Sequence, residues 1–109
     1  MPNAKELTNQ GFDLFSEGKI DEASAKLEEA IAVDANYIEA YRTLAMVYGR
    51  KNMLDEAVAA AQKVVDLDPD DHLGYVSLSI FLQRQGKVPE AEEAMAKGTA
   101  AQIRGSEKK

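Results

Sequence analysis

Apolar, small and turn-forming residues recur along the chain at a constant interval of 34 residues. Ala23, Ala57 and Ala91 keep this spacing, and a glutamate precedes each of them. Other columns with the same spacing are Gly18, Asn52 and Gly86; Leu7, Tyr41 and Tyr75; Leu14, Tyr48 and Leu82; and Gly11, Ala45 and Ser79. Self-similarity at one fixed period indicates tandem structural units. The register predicts three units of 34 residues, at 4–37, 38–71 and 72–105.

Each unit contains two amphipathic stretches separated by a short turn. In the second unit, Tyr41, Leu44, Ala45 and Tyr48 follow the i, i+3, i+4, i+7 spacing of a helical stripe. A second stripe begins after residues 51–53 and runs from position 54 to 65. The turn column of Gly and Asn suits the left-handed conformation that ends many helices. Every unit is therefore predicted to be a pair of antiparallel helices.

These units resemble tetratricopeptide repeats, whose pattern is W-x2-L-G-x2-Y, then A-x3-F, then P. The second unit matches with Tyr41-x2-Leu44-Ala45-x2-Tyr48, then Ala57-x3-Ala61 and a terminal Pro69. Ala35 and Ile103 replace the proline in the other units. The resemblance implies an all-α fold, a right-handed α-solenoid of three antiparallel helix pairs. It also implies a single domain over residues 4–105, followed by a short charged tail at 106–109.

Composition narrows the chemistry of the chain. Its 109 residues carry 13 Lys plus Arg against 19 Asp plus Glu, a net charge of −6, which argues against general nucleic-acid binding. With no Cys and one His, the chain has no disulfide framework and no Cys/His zinc site. Asp66-x-Asp68-x-Asp70 has the opening spacing of a calcium loop, but Asp71 and Ser77 stand where the loop needs Gly and Glu. We therefore predict no catalysis, no cofactor and no metal.

The sequence also bears on location. Its first residues lack the basic stretch and apolar run of a signal peptide. No apolar run approaches the roughly 20 residues that span a bilayer. These features predict a cytoplasmic protein without membrane insertion.

In proteins with this resemblance, the first helices of successive units line a concave surface that binds a peptide or a helix. The corresponding positions here are Lys5, Phe12, Phe15, Arg42, Met46, Arg50, Leu73, Val76, Ile80 and Arg84. Contiguous exposed apolar side chains usually mark an interaction site. Four cations against Glu39 give this surface a formal charge of +3. The predicted partner is a peptide or helix with an apolar stripe and acidic flanks; alternatively, some of these residues pack into the neighbouring repeat.

One subset of the family grips the C-terminal Asp of chaperone tails with Lys, Asn and Arg side chains. The matching positions here are Thr8, Phe12, Thr43, Leu73 and Ser77, and none carries the required residue. Binding of chaperone tails by that clamp is therefore not expected.

The sequence thus predicts a non-catalytic scaffold or adaptor that binds a partner protein. An alternative is a self-assembly module that forms homo-oligomers through its solenoid ends or its groove. The alternative rests on uneven charge, because the first unit has 3 basic and 8 acidic residues whereas the third has 4 basic and 3 acidic residues. Oppositely charged ends can attract each other.

Overall fold

Six α-helices account for most of the backbone. In the computed structural model, which describes residues 1–107, the helices are α1 (Ala4–Ser16), α2 (Ile20–Val33), α3 (Ile38–Arg50), α4 (Leu54–Leu67), α5 (His72–Arg84) and α6 (Val88–Glu107). Residues 1–107 include no β-strand. The all-α prediction is therefore confirmed.

The helices are arranged as three successive antiparallel pairs. The most extensive contacts lie within the pairs, α1 with α2, α3 with α4, and α5 with α6. Neighbouring pairs meet through α2 with α3 and α4 with α5, and also through α1 with α3 and α3 with α5. The first helices begin at Ala4, Ile38 and His72, so each pair repeats the last at the 34-residue interval of the sequence. This is the predicted α-solenoid.

The turn inside each pair uses a left-handed residue. Gly18 and Gly86 have φ 81°, and Asn52 has φ 60°. The next amide then closes the end of the helix, as in the second pair, where Met53 N–H donates to Tyr48 O at 2.9 Å. The predicted role of this column is confirmed, and it keeps the three pairs in the same geometry.

Small residues allow the paired helices to approach closely. Ala23, Ala57 and Ala91 on the second helices are completely buried. Leu27 and Val47 are the largest fully buried side chains. One core cluster runs through all three pairs, from Ala23 in α2 to Ala94 in α6. The solenoid is therefore held together by a continuous core.

The last helix is longer than its counterparts. It has 20 residues, whereas α2 and α4 have 14 each. Asp34 and Asp68 are the C-cap residues of those two helices, and Gln102 takes the equivalent position in α6. Arg104 ties the extension to the preceding turn, with its Nε 3.2 Å from Asp70 Oδ1. Positions 106 and 107 of the predicted tail continue α6, and positions 108 and 109 lie outside the described residues.

Candidate functional site

The first helices of the pairs form a shared surface across the molecule. We call this surface, made by α1, α3 and α5 with the part of α4 exposed between α3 and α5, the groove. Because the helices keep one register, positions 34 residues apart form rows across it. Phe12, Met46 and Ile80 make one such row, with exposed fractions of 47%, 46% and 48%. This apolar row presents large side chains to solvent at the same position of every repeat.

A cavity of about 190 Å³ lies in the groove between α3 and α5, with α4 as its floor. It is lined mainly by apolar side chains: Ala45, Met46, Ala61, Val64, Leu73, Gly74 and Phe81, with Arg42 and Ser77. Leu73 is 65% exposed at its rim. The structure thus brings Arg42, Met46 and Leu73, three of the predicted site residues, around one hollow.

Two glycines set the shape of this cavity. A Cβ on Gly74 would lie 3.0 Å from the Cγ1 atoms of Val64 and Val65, so α5 packs tightly on α4 there. A Cβ on Gly49 would lie 2.6 Å from Phe81 Cε1, so the Phe81 ring covers the backbone of α3. Phe81 therefore closes one end of the cavity. The sequence prediction missed it, although a glycine on the inner face of α3 was a signal that a large side chain lies above it.

Arg42 does not present a free charge to the groove. Its guanidinium contacts Asp71, the N-cap residue of α5, and lies 3.1 Å from Glu39 Oε1. Burial lowers the pKa of Arg42, but the hydrogen bonds and charges of Asp71 and Glu39 outweigh it and leave the pKa above its usual value. The formal charge of +3 therefore overstates the positive charge available to a ligand.

Arg84 is also engaged by the protein. It donates to Gly49 O at 3.2 Å and to Asn52 Oδ1 at 3.0 Å, and its guanidinium carbon lies 5.9 Å from the centroid of the Phe81 ring. These contacts tie the end of α5 to the end of α3. Arg84 is therefore held close to the groove wall.

The remaining predicted residues differ in their surroundings. Arg50 lies 5.0 Å above the Phe15 ring, and Phe15 is half-buried against the core. Val76 is half-buried, whereas Lys5 and Arg50 are exposed. Within residues 1–107, Lys5 and Arg50 form no ion pair. Phe15 thus packs partly into the protein, whereas the side chains of Lys5 and Arg50 are open to solvent.

Residues that carry other chemistry are few. His72 lies with Nδ1 3.2 Å from Gly98 O, a contact between α5 and α6. In the described part of the chain, no group of three or more His, Asp or Glu residues is placed to hold a metal ion. Within residues 1–107, no helix combines the length and the apolar character that crossing a membrane requires.

Sequence comparison identifies related proteins. A family model described as tetratricopeptide repeat matches residues 14–75, more than half of the chain. A TPR repeat-containing protein of Dictyostelium discoideum is 30% identical over 108 residues, covering 93% of this chain and 41% of the relative. Hsp70-Hsp90 organizing protein 3 of Arabidopsis thaliana is 31% identical over 90 residues, covering 80% and 16% respectively. The chain spans less than half of the length of these relatives.

Solved structures show the same fold. MamA superposes with a TM-score of 0.93 at 24% identity, over 96% of this chain and 61% of that one. The second TPR of Spaghetti, bound to an HSP90 peptide, gives 0.84 at 21% identity over 91% and 92%. YrrB, described as a TPR protein with an unusual peptide-binding site, gives 0.85 at 22% identity over 94% and 53%. At these identities the similarity establishes the fold.

Proposed function

The chain belongs to the tetratricopeptide repeat family, whose members typically act as non-catalytic protein-interaction modules, and we propose that it binds a peptide or helix of a partner protein in the groove. Its role as a scaffold or adaptor follows from the family. The groove as the binding surface is our own assignment.

The apolar row is the observation that carries this proposal. Phe12, Met46 and Ile80 are each about half exposed, although residues of their type are usually buried. Met46 of this row and Leu73 line the groove cavity, and both are exposed to solvent. A row of apolar side chains beside a hollow suits an amphipathic helix or an extended peptide, which inserts its apolar residues and leaves its polar side exposed.

Charge indicates which residues flank the apolar part of the partner. Of the groove cations, Lys5, Arg50 and Arg84 form no ion pair within residues 1–107. Hydrogen bonds to Gly49 O and Asn52 Oδ1 hold Arg84 against the protein, which leaves Lys5 and Arg50 for a ligand. We propose that acidic residues on either side of the bound apolar segment meet these two side chains. Exposed pairs of this kind contribute about 0.2–1 kcal/mol each, so they orient the partner more than they hold it.

The second TPR of Spaghetti was solved with an HSP90 peptide, but we do not propose that ligand for this chain. Two of the positions that would have to supply clamp residues, Thr8 and Thr43, are buried. Thr43 Oγ1 also donates to Glu39 O within its own helix. These side chains cannot reach a bound peptide, so we propose recognition through apolar residues instead of a terminal carboxylate.

A random peptide library displayed on phage and selected on the chain would supply the ligand for the test. The selected peptides are expected to combine apolar residues with Asp or Glu. Their affinity, measured by fluorescence anisotropy, should fall at least tenfold in Met46→Glu, because the new charge lies in the apolar row. Met95→Glu on α6 is the matched control, since Met95 is 40% exposed and lies outside the groove. Equal affinities for the two variants would refute the groove assignment.

Self-assembly remains a second candidate, and α6 carries the observation in its favour. Val88, Met95 and Ile103 are exposed apolar side chains along this helix. Met95 and Thr99 occupy the positions at which α4 has the buried residues Ala61 and Val65, covered by the next pair. We propose that the exposed α6 face is the surface through which two copies would associate.

The other end of the solenoid has the opposite character. Glu6, Gln10 and Asp13 are exposed on α1 at the positions where α3 has the buried residues Ala40, Leu44 and Val47. A polar surface does not complement an apolar one. Self-assembly would therefore pair the α6 face of one copy with the α6 face of another, and copies would not stack head to tail.

Light scattering tests this candidate. Self-assembly predicts a mass that rises with concentration in the natural chain and in Met46→Glu, but not in Met95→Glu. A constant monomer mass from micromolar to millimolar concentration would rule it out.

A further inference from the structure

A second hollow lies on the opposite side of the solenoid from the groove. We call it the outer pocket; it lies between α2 and α4, has α3 as its floor, and has a volume of about 580 Å³. Its lining residues are Glu28, Ile31, Ala32, Tyr41, Leu44, Tyr48, Glu56, Ala59, Ala60 and Lys63. This volume falls within the range of roughly 300–1,000 Å³ that ligand sites occupy.

The outer pocket and the groove use opposite faces of α3. Leu44 lines the outer pocket and Met46 lines the groove cavity. Two residues along a helix correspond to a rotation of about 200°, so the two side chains point in nearly opposite directions. A ligand in one hollow therefore does not touch a ligand in the other.

The charged groups of the outer pocket are divided between its two ends. At the end near Tyr48, the phenol donates to Glu28 Oε1 at 3.0 Å, and Glu56 lies close enough to influence the Tyr48 hydroxyl. At the other end, Lys63 Nζ lies 5.8 Å from the centroid of the Tyr41 ring. The outer pocket therefore has an acidic end, a basic end and an apolar lining between them.

The next interval of the solenoid offers an internal comparison. The equivalent hollow between α4 and α6 measures about 240 Å³ and is lined by Tyr75, Leu78 and Glu93 among others. Glu93 stands where the outer pocket has Ala59, and it pairs with Lys97 at 3.2 Å. Ala59 leaves Lys63 without such a partner, since no ion pair within residues 1–107 includes Lys63. The larger size of the outer pocket thus coincides with one missing carboxylate side chain.

We propose that the outer pocket is a second peptide-binding site, which takes an apolar side chain next to a Lys or Arg of a partner protein. The apolar side chain packs on Leu44 and Ala60. The cation lies at the acidic end, between Glu28 and Glu56. The pocket lining as a whole has these two carboxylates and one ammonium group, that of Lys63. This occupant differs in charge from the groove ligand, which meets Lys5 and Arg50. The two sites would therefore select different partner segments.

The test uses two synthetic helical peptides of equal length that differ at one position. The first carries a Leu and an Arg four residues apart on an Ala-rich background, and the second has Glu in place of the Arg. Two-dimensional NMR of the labelled chain follows both titrations. We expect the Arg peptide to shift signals of Ile31, Leu44 and Ala59 and to leave those of Met46 and Ile80 in place. The Glu peptide should leave the signals of Ile31, Leu44 and Ala59 in place.

Ala59→Glu copies Glu93 of the next interval and should weaken the Arg peptide at least tenfold. Ala25→Glu is its control, because Ala25 is the same repeat position in α2, is exposed and lies outside the pocket lining. Glu28→Gln with Glu56→Gln removes the carboxylates at nearly constant shape and should weaken the Arg peptide without affecting the fold. Met46→Glu should leave this titration unchanged, which separates the outer pocket from the groove.

Several results would overturn the proposal. The pocket signals could shift equally with both peptides, or the Arg peptide could shift groove signals only. The pocket signals could also stay in place at millimolar Arg peptide, or Ala59→Glu could leave the affinity for the Arg peptide unchanged. If the pocket signals move with the concentration of the chain alone, the occupant is a second copy and the proposal of a partner segment is wrong.

Discussion

Gly11 of α1 lies against Leu27 of α2 with no space for another carbon between them. A Cβ on Gly11 would be 2.7 Å from Leu27 Cγ, 2.9 Å from Leu27 Cδ2 and 3.3 Å from Ala23 O. Leu27 is completely buried, so it has no free space to move into. The second pair has Ala45 and Ala61 at the same two positions. The structure therefore predicts that glycine at position 11 and leucine at position 27 depend on each other.

The size of this dependence follows from two opposing effects. In a helix, Gly→Ala favours folding by about 1 kcal/mol. Overpacking of a dense core costs about 1–3 kcal/mol. Gly11→Ala should therefore leave the natural chain unchanged or destabilise it by up to about 2 kcal/mol. Leu27→Ala should cost about 3–5 kcal/mol because it opens a cavity. In that background the overlap is gone, and Gly11→Ala should stabilise by about 1 kcal/mol.

Urea unfolding followed by far-ultraviolet circular dichroism measures this cycle. The four proteins are the natural chain, the two single variants and the double variant, and the unfolding slope should stay constant among them. The expected coupling energy is about 1–3 kcal/mol. Gly105→Ala on α6 is the control, because a Cβ at that position would point into open space. If Gly11→Ala stabilises both backgrounds equally, the packing argument is refuted.

Two further predictions concern the turn of the second pair and the acidic end of the outer pocket. Asn52→Ala should destabilise the chain by about 1–2 kcal/mol in the same urea assay, because Asn52 has φ 60°; Asn52→Gly should cost less. Burial, the hydrogen bond to Glu28 and the charges of Glu28 and Glu56 raise the pKa of Tyr48 to about 12. The folded chain thus holds this proton more tightly than the unfolded chain, so the contribution of Tyr48 to stability is constant at neutral pH and is lost as the pH rises from about 10 to about 12. An ultraviolet absorbance titration compared with Tyr48→Phe should show one tyrosine ionising late, and ionisation of all tyrosines near pH 10 would contradict this.

The helix pairs were predictable because their signals are local. A stripe at 3.6-residue spacing and a left-handed residue after it are properties of consecutive residues, and Gly18, Asn52 and Gly86 adopt that conformation. The 34-residue register then placed the same turn in every pair. These signals do not depend on where distant parts of the chain lie. The identity and order of the residues were therefore sufficient to predict the helix pairs.

The surroundings of the site residues were less predictable because they depend on other pairs. Arg42 was counted as a groove cation, yet its partner Asp71 lies 29 residues further along the chain, at the start of the next first helix. The longer α6 had a weak local signal, since Gln102 replaces the aspartate that forms the C-cap of α2 and of α4. The outer pocket had none in any single helix. Its volume comes from the space between α2 and α4, which only their packing on α3 defines.

The central position of α3 explains why both candidate sites converge there. Among the first helices, α3 contacts both α1 and α5, and it also packs on α2 and α4. Its Met46 face therefore has groove neighbours on both sides, whereas its Leu44 face forms the floor between two second helices. The repeated helix pairs place an outer hollow in both intervals, and the residues at equivalent positions of the two hollows differ. Phe81 narrows the groove cavity and Glu93 narrows the second outer hollow, whereas Ala59 leaves the first outer hollow wide. We therefore propose that binding specificity in this chain depends on a few side chains at repeat-equivalent positions, and exchange of residues between repeats would be the most direct way to move a site.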